Sequence, residues 1–152
     1  MAGELIRKGQ YTFKNLAIIC EWKTRGRRRT LLAENKEEEV ADTLRLALDA
    51  KSDRAAIAVL TGLSGVQVPV ASAIVTAIYP ERFTIVDFRA LQALGVTNAV
   101  ITVDFYLKYL EACSKLAKES RVDLRMLDRA LWQWSKEKSL LRQRNHAGAF
   151  NG

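Results

Sequence analysis

The chain has 152 residues, 49% of them hydrophobic and 27% charged, the balance of one globular domain with an ordinary core. No apolar run approaches the roughly 18 residues needed to cross a bilayer, and the start MAGELIRKGQYTF has no apolar signal core, so a membrane partner and a secreted chain are not expected. Lys and Arg number 24 against 17 Asp and Glu, a net charge of +7, which favours a polyanion as partner.

In chain order, residues 11–22 read as a helix with Phe13, Leu16, Ala17, Ile19 and Cys20 facing inward. Gly26 and the arginines around it break that helix. Asn35 is placed to cap the next, with Glu38 three residues on as capping-box partner, and Val40, Leu44, Ala47 and Leu48 form its stripe. Ser52 caps a third helix, Asp53 to Leu60, which ends at Gly62. A tight turn follows, then a helix from Pro69 to Tyr79 stopped by Pro80. ERFTIV reads as extended. Phe88 to Leu94 forms a short helix ended by Gly95, where glycine takes the left-handed conformation cheaply. Residues 103–118 form another helix, with Phe105, Leu107, Tyr109, Leu110 and Cys113 among its apolar positions. Asp123 caps the last, whose apolar positions are Leu124, Leu127, Leu131 and Trp134. The pattern predicts an all-α fold of seven or eight helices. Residues 1–140 make one helical domain, which could divide into lobes of 35–95 and of 1–30 plus 97–140. Residues 141–152, polar and with glycines, are expected to be a disordered tail.

Cys20 and Cys113 have no C-x-x-C spacing and read as buried free thiols. Four cysteine ligands for an iron–sulfur cluster are absent, and the single histidine, His146, argues against zinc. Arg25, Arg27, Arg28 and Arg29 fall close together with Lys23, and the group is either an ordinary solvated loop or a set of phosphate contacts. Trp22 beside it is expected to anchor in the core, with base stacking as the alternative. One of Trp132 and Trp134 is expected to be buried.

The turn carries the most information. In GLSGVQVPV, Gly62 ends one helix and Gly65 lies in the connection, where positive φ and the missing Cβ let a backbone N–H face an incoming group. Pro69 then sits in the first turn of the next helix. Such a helix start can hold an anion, including a DNA phosphate, although a plain helix–helix turn has the same spacing. Asp87 caps the helix that begins at Phe88 and is also free to act as an acid.

Leu63, Ser64, Gly65, Val66 and Gln67, the small-residue helix with Ala71, and Val86–Asp87 together resemble the helix-hairpin-helix, Gly/Pro-rich, aspartate (endonuclease III-like) superfamily of DNA glycosylases. There the hairpin reads L-P-G-V-G and a Val-Asp pair opens a later helix. The likeness is concentrated in residues 60–95. It implies that Gly62, Leu63, Ser64, Gly65, Val66 and Gln67, with Arg25, Arg27, Arg28, Arg29 and Arg89, bind double-stranded DNA. It implies that Asp87 is the catalytic acid–base group, stabilising positive charge on the deoxyribose and taking a proton from water. Arg89 has a bland reading as well, a surface ion pair.

Two departures shape that expectation. Gln67 replaces the hairpin's second glycine, and Pro69 stands where lyase-competent members carry a nucleophilic lysine. The implied activity is therefore monofunctional hydrolysis of the N-glycosidic bond of a damaged or modified base, with no strand cleavage through that position. The implied cofactor set is no metal and no iron–sulfur cluster, with room for a monovalent cation at the hairpin. A monomer in the cytoplasm, associated with the nucleoid, is the corresponding setting. The alternatives are a non-catalytic helix-hairpin-helix module and a fold relative acting on a nucleotide or another protein.

Overall fold

The computed structural model describes residues 1–149, which form nine helices and no strand. They are α1 (Ala2–Arg7), α2 (Phe13–Thr24), α3 (Arg29–Leu32), α4 (Glu37–Asp49), α5 (Asp53–Leu60), α6 (Val68–Ile78), α7 (Phe88–Ala93), α8 (Val103–Glu119) and α9 (Leu124–Ala149). The all-α expectation is met. None of the described helices is long and apolar enough to cross a membrane.

Helix α6 is the centre of the packing. Val68, Val70, Ala71, Ser72, Ala73, Ile74, Val75 and Ile78 are all buried, so it is apolar around most of its circumference, as a helix enclosed by others must be. Around it stand α1, α2 and α5, while α7 and α8 pack on α9. A single cluster of buried side chains runs from Ala2 to Leu127.

Local signals set most of the boundaries. Thr12, Ser52, Thr102 and Asp123 each accept a backbone N–H at a helix start, and Gly95 follows α7 with φ +77°. The cap of α4 lies one residue later than expected. Lys36 N–H donates to Glu39 Oε2 at 2.8 Å, and Asn35 is diverted to a long-range task described below. α1 and α3, too short to show a period, extend the predicted helix set.

Three further expectations are corrected. The last helix continues without a break to Ala149, so residues 141–149 are helical rather than a disordered tail. Residues 150–152 lie outside the described part. Trp22 is 68% exposed and anchors no core, because its neighbours Ile19 and Cys20 take the inward face of α2. Neither Trp132 nor Trp134 is buried: Ser135 takes the inward place on α9, donating to Gln92 Oε1 of α7 at 2.8 Å. The extended reading of ERFTIV is corrected in part: Glu81 and Arg82 belong to the turn that follows α6, closed by Arg82 and Phe83 N–H on Tyr79 O, and residues 83–86 run on as an irregular segment. Phe83, Thr84 and Val86 are buried, but the segment joins no sheet and its polar backbone is met by side chains. Cys20 and Cys113 are free and buried, and burial pushes the Cys20 thiol up to about 12, an inert thiol.

Candidate nucleic-acid interface and acidic centre

The connection between α5 and α6 is a compact turn. Leu63 and Val66 point inward, and Gly65 has φ +79°. The absence of a Cβ at Gly65 serves a protein contact rather than an outside group: a Cβ there would stand 3.0 Å from Leu32 N and 3.4 Å from Arg28 O. Gly65 thus lets the turn close against α3. Asn35 locks the same junction, donating from Nδ2 to Ser64 O and accepting Ser64 N–H on Oδ1, each at 2.9 Å. Gly62, also in the turn, keeps an ordinary negative φ.

The hydrogen bonds within the turn leave donors over. Gly62, Leu63 and Val66 N–H meet backbone carbonyls and Ser64 N–H meets Asn35. The N–H groups of Gly65, Gln67, Val68 and Val70 find no acceptor among the described residues. Unpaired donors at the start of an 11-residue helix suit an anion. The carbonyls of Leu60, Leu63 and Ser64 accept Leu63 N–H, Val66 N–H and Asn35 Nδ2.

Beside the helix start lies a cleft of about 310 Å³ lined by Lys23, Thr24, Arg27, Arg28, Gln67, Pro69 and Val70. On the other flank a shallower groove of about 510 Å³ is lined by Thr61, Val66, Gln67, Val68, Pro69 and Ile101. The first carries the charge. Arg28 Nη2 donates to Gln67 Oε1 at 2.9 Å, so the residue in place of the second glycine is held by an arginine of the basic run. Arg27 fixes its Nε on Thr24 O at 3.0 Å and keeps the rest of its guanidinium for the cleft. The other two diverge from the expected set. Arg29 pairs with Glu21 at 2.9 Å, and Arg25, the left-handed end of α2, is exposed and does not line the cleft.

Asp87 is reached from this cleft through one residue, Val86, which is clamped at both backbone groups. Its N–H donates to Ser72 Oγ of α6 at 3.1 Å, and its carbonyl accepts Lys23 Nζ of α2 at 3.2 Å. The residues before it are held similarly, Thr84 O by the Tyr106 hydroxyl at 2.9 Å and Ile85 O by that of Tyr109 at 3.3 Å. Asp87 is half-buried and caps α7, its Oδ1 accepting Ala90 N–H at 2.8 Å. That bond leaves Oδ2 without a partner among the described residues. Asp87 does not line the cleft itself; it stands just behind the Lys23 contact.

Ser72 is a residue that sequence reasoning missed, and Lys23 it placed only among the arginines of the basic run. Lys23 had a weak signal in its place among the arginines; Ser72, inside an apolar helix, had none. Burial lowers the Lys23 ammonium from its ordinary range, against the pull of Asp87 and then Asp128. Arg89 is not in an ion pair among the described residues; its guanidinium lies 5.3 Å from the centre of the Trp132 ring. Phe88, next to the acid, is 75% exposed.

No known family model, curated protein or solved structure matches the chain.

Proposed function

We propose that the protein binds duplex DNA at the α5–α6 hairpin and excises a damaged or modified base by monofunctional hydrolysis, with Asp87 as the acid–base group. One observation carries the reading. Lys23 lines the basic cleft at the hairpin and bonds the carbonyl next to Asp87, which brings a phosphate grip and a carboxylate within one lysine side chain of each other.

The parts then have distinct tasks. A DNA phosphate is met by the spare N–H groups at the start of α6 and by Arg27 and Arg28. The exposed rings of Trp22 and Phe88 supply stacking surface for bases taken out of the helix. In the reaction the C1′–N bond breaks and its electron pair leaves with the base, which is completed by a proton from solvent. Positive charge grows on the sugar opposite Asp87. Water adds its oxygen to C1′ and gives one proton to the free carboxylate oxygen.

The test is an abasic-site assay on duplexes across a broad panel of base lesions, with affinity followed against salt. Base release from at least one lesion is expected, together with a steep loss of affinity as salt rises. Affinity without release from any member points to a non-catalytic module, and no salt-dependent duplex binding removes the nucleic-acid reading.

A second reading, favoured by Lys23, adds strand cleavage to base excision. Its ammonium is held down by burial beside Asp87, so a neutral amine is more accessible there than on a surface lysine. The amine would attack the ring-opened sugar aldehyde and lose water to form an imine, from which loss of a C2′ proton expels the 3′-phosphate and breaks the strand. Borohydride in the presence of an abasic duplex then traps a covalent complex that Lys23→Gln does not form. Without a trapped complex in the wild type, hydrolysis alone stands.

A further inference from the structure

Three ionisable side chains from separate helices influence one another: Lys23 of α2, Asp87 at the head of α7 and Asp128 of α9, the helix that packs on α7. Asp87 has its Oδ1 on the cap and Lys23 has a proton on the Val86 carbonyl. Asp128 has neither arrangement. Its residue is half-buried, its Oδ1 is fully covered, and that oxygen accepts no hydrogen bond among the described residues. An ionised oxygen covered in this way loses hydration with nothing in return, and native proteins keep few such groups without a use for them.

The surroundings say what the use is. Tyr109 and Cys113 of α8 bear on the same carboxyl, and burial raises both of those groups so that neither supplies charge near neutrality. Arg129 is the next residue along α9. When both acids are ionised, one buried ammonium serves two carboxylates. Burial raises the Asp128 carboxyl to about 6, with Asp87 adding to the rise and Lys23 and Arg129 opposing it. Of the two acids, Asp87 has one oxygen engaged by the helix cap, and Asp128 is the one left to carry the proton.

We propose that Asp128 is a positioning residue of this centre: it stores one proton behind Asp87, and by releasing it sets the charge that Asp87 and Lys23 present to the sugar. The proposal rests on the base-excision reading of Asp87. With Asp128 neutral, the Lys23 ammonium is matched by Asp87 alone and offsets the carboxylate that should face the sugar cation. With Asp128 ionised, the ammonium is shared, and Asp87 keeps more of its charge for the transition state. Base release therefore climbs with pH as Asp128 loses its proton.

Carboxyl NMR titration of the free protein tests the proton store without any substrate. The wild type should show a carboxyl titrating near 6 that is missing in Asp128→Asn. It should move down in Asp87→Asn, where a neighbouring negative charge is gone, and up in Lys23→Gln, where the opposing positive charge is gone. An Asp128 that titrates at the ordinary carboxylate value of about 4, or that ignores Asp87→Asn, overturns the proposal whether or not any base is released. Base release is then followed from pH 5 to 7 on the responsive lesion. A rise of about tenfold in the wild type, flattened in Asp128→Asn, supports the link to chemistry. Identical pH profiles in the two proteins overturn that link while leaving base excision in place. Absence of release from every lesion overturns the base-excision reading and the link together, with the titration still deciding whether the proton is stored.

Discussion

Asp87→Asn is expected to lower base release by about 10²–10⁴-fold while duplex affinity and stability stay near those of the wild type. The asymmetry follows from the two jobs of this side chain. As a cap it offers Oδ1 to Ala90 N–H, and the amide oxygen of Asn does the same, since Asn and Asp are about equally good at a helix start. As an acid–base group it needs a negative charge opposite the sugar and an oxygen able to take a proton, and Asn has neither. Asp87→Ala serves as the companion, losing the charge and also about 1 kcal/mol of capping. Single-turnover base release, with duplex affinity and a thermal melt measured in parallel, separates the roles. Equal release by the wild type and Asp87→Asn would take Asp87 out of the mechanism.

The second large effect concerns the fold. Gly3 of α1 is buried against α6, and a Cβ at that position would fall 1.9 Å from the Ala77 carbonyl oxygen. The clash is with backbone, so no side-chain rotation relieves it and α1 must move away from the central helix. Ala is the better helix former by about 1 kcal/mol, which offsets only part of an overpacking cost of about 1–3 kcal/mol or more. Gly3→Ala is therefore expected to lower Tm by about 3–8 °C, with faster amide exchange in α1 and α2. A melt at or above the wild-type temperature would mean that α1 does not seat on α6 as described. Because α2 lies between α1 and the cleft, the same variant should weaken duplex binding, whereas Asp87→Asn should not.

Much of this was written locally. The apolar periods of residues 40–48 and 103–118, the hydroxyl and carboxylate caps at Ser52, Asp87 and Asp123, and the glycines at 65 and 95 each act within four residues of their own position. A reader of the sequence could place α4 to α8 within a residue or two. The same locality made Asp87 conspicuous, as an acid at a helix start after an apolar run.

The errors were of the opposite kind. Asn35 has the composition of a cap, yet its amide is drawn to Ser64 across the turn, and Lys36 with Glu39 takes over the local role. Trp22 has the hydrophobicity of a core residue but the wrong angular position on α2. Arg29 belongs to a basic run, but Glu21, on α2 before the break, captures it across the turn. Gly65 leaves its N–H without an acceptor, but the space that a Cβ would need there is taken by the segment at α3.

By itself, then, the sequence determined an all-helical chain, its basic charge, the turn between α5 and α6, and an acid capping α7, because each depends on side chains within one helical turn. Only the tertiary structure decided that Lys23 and Ser72 meet on Val86 beside Asp87, that Asp128 is half-buried on the helix packed against α7, and that Arg27 and Arg28 alone of the arginine run line the cleft. Those positions are far apart along the chain, and what brings them together is the packing of α2, α6, α7 and α9. That arrangement is set by the fit of whole helix faces and leaves no mark in the spacing of any one segment.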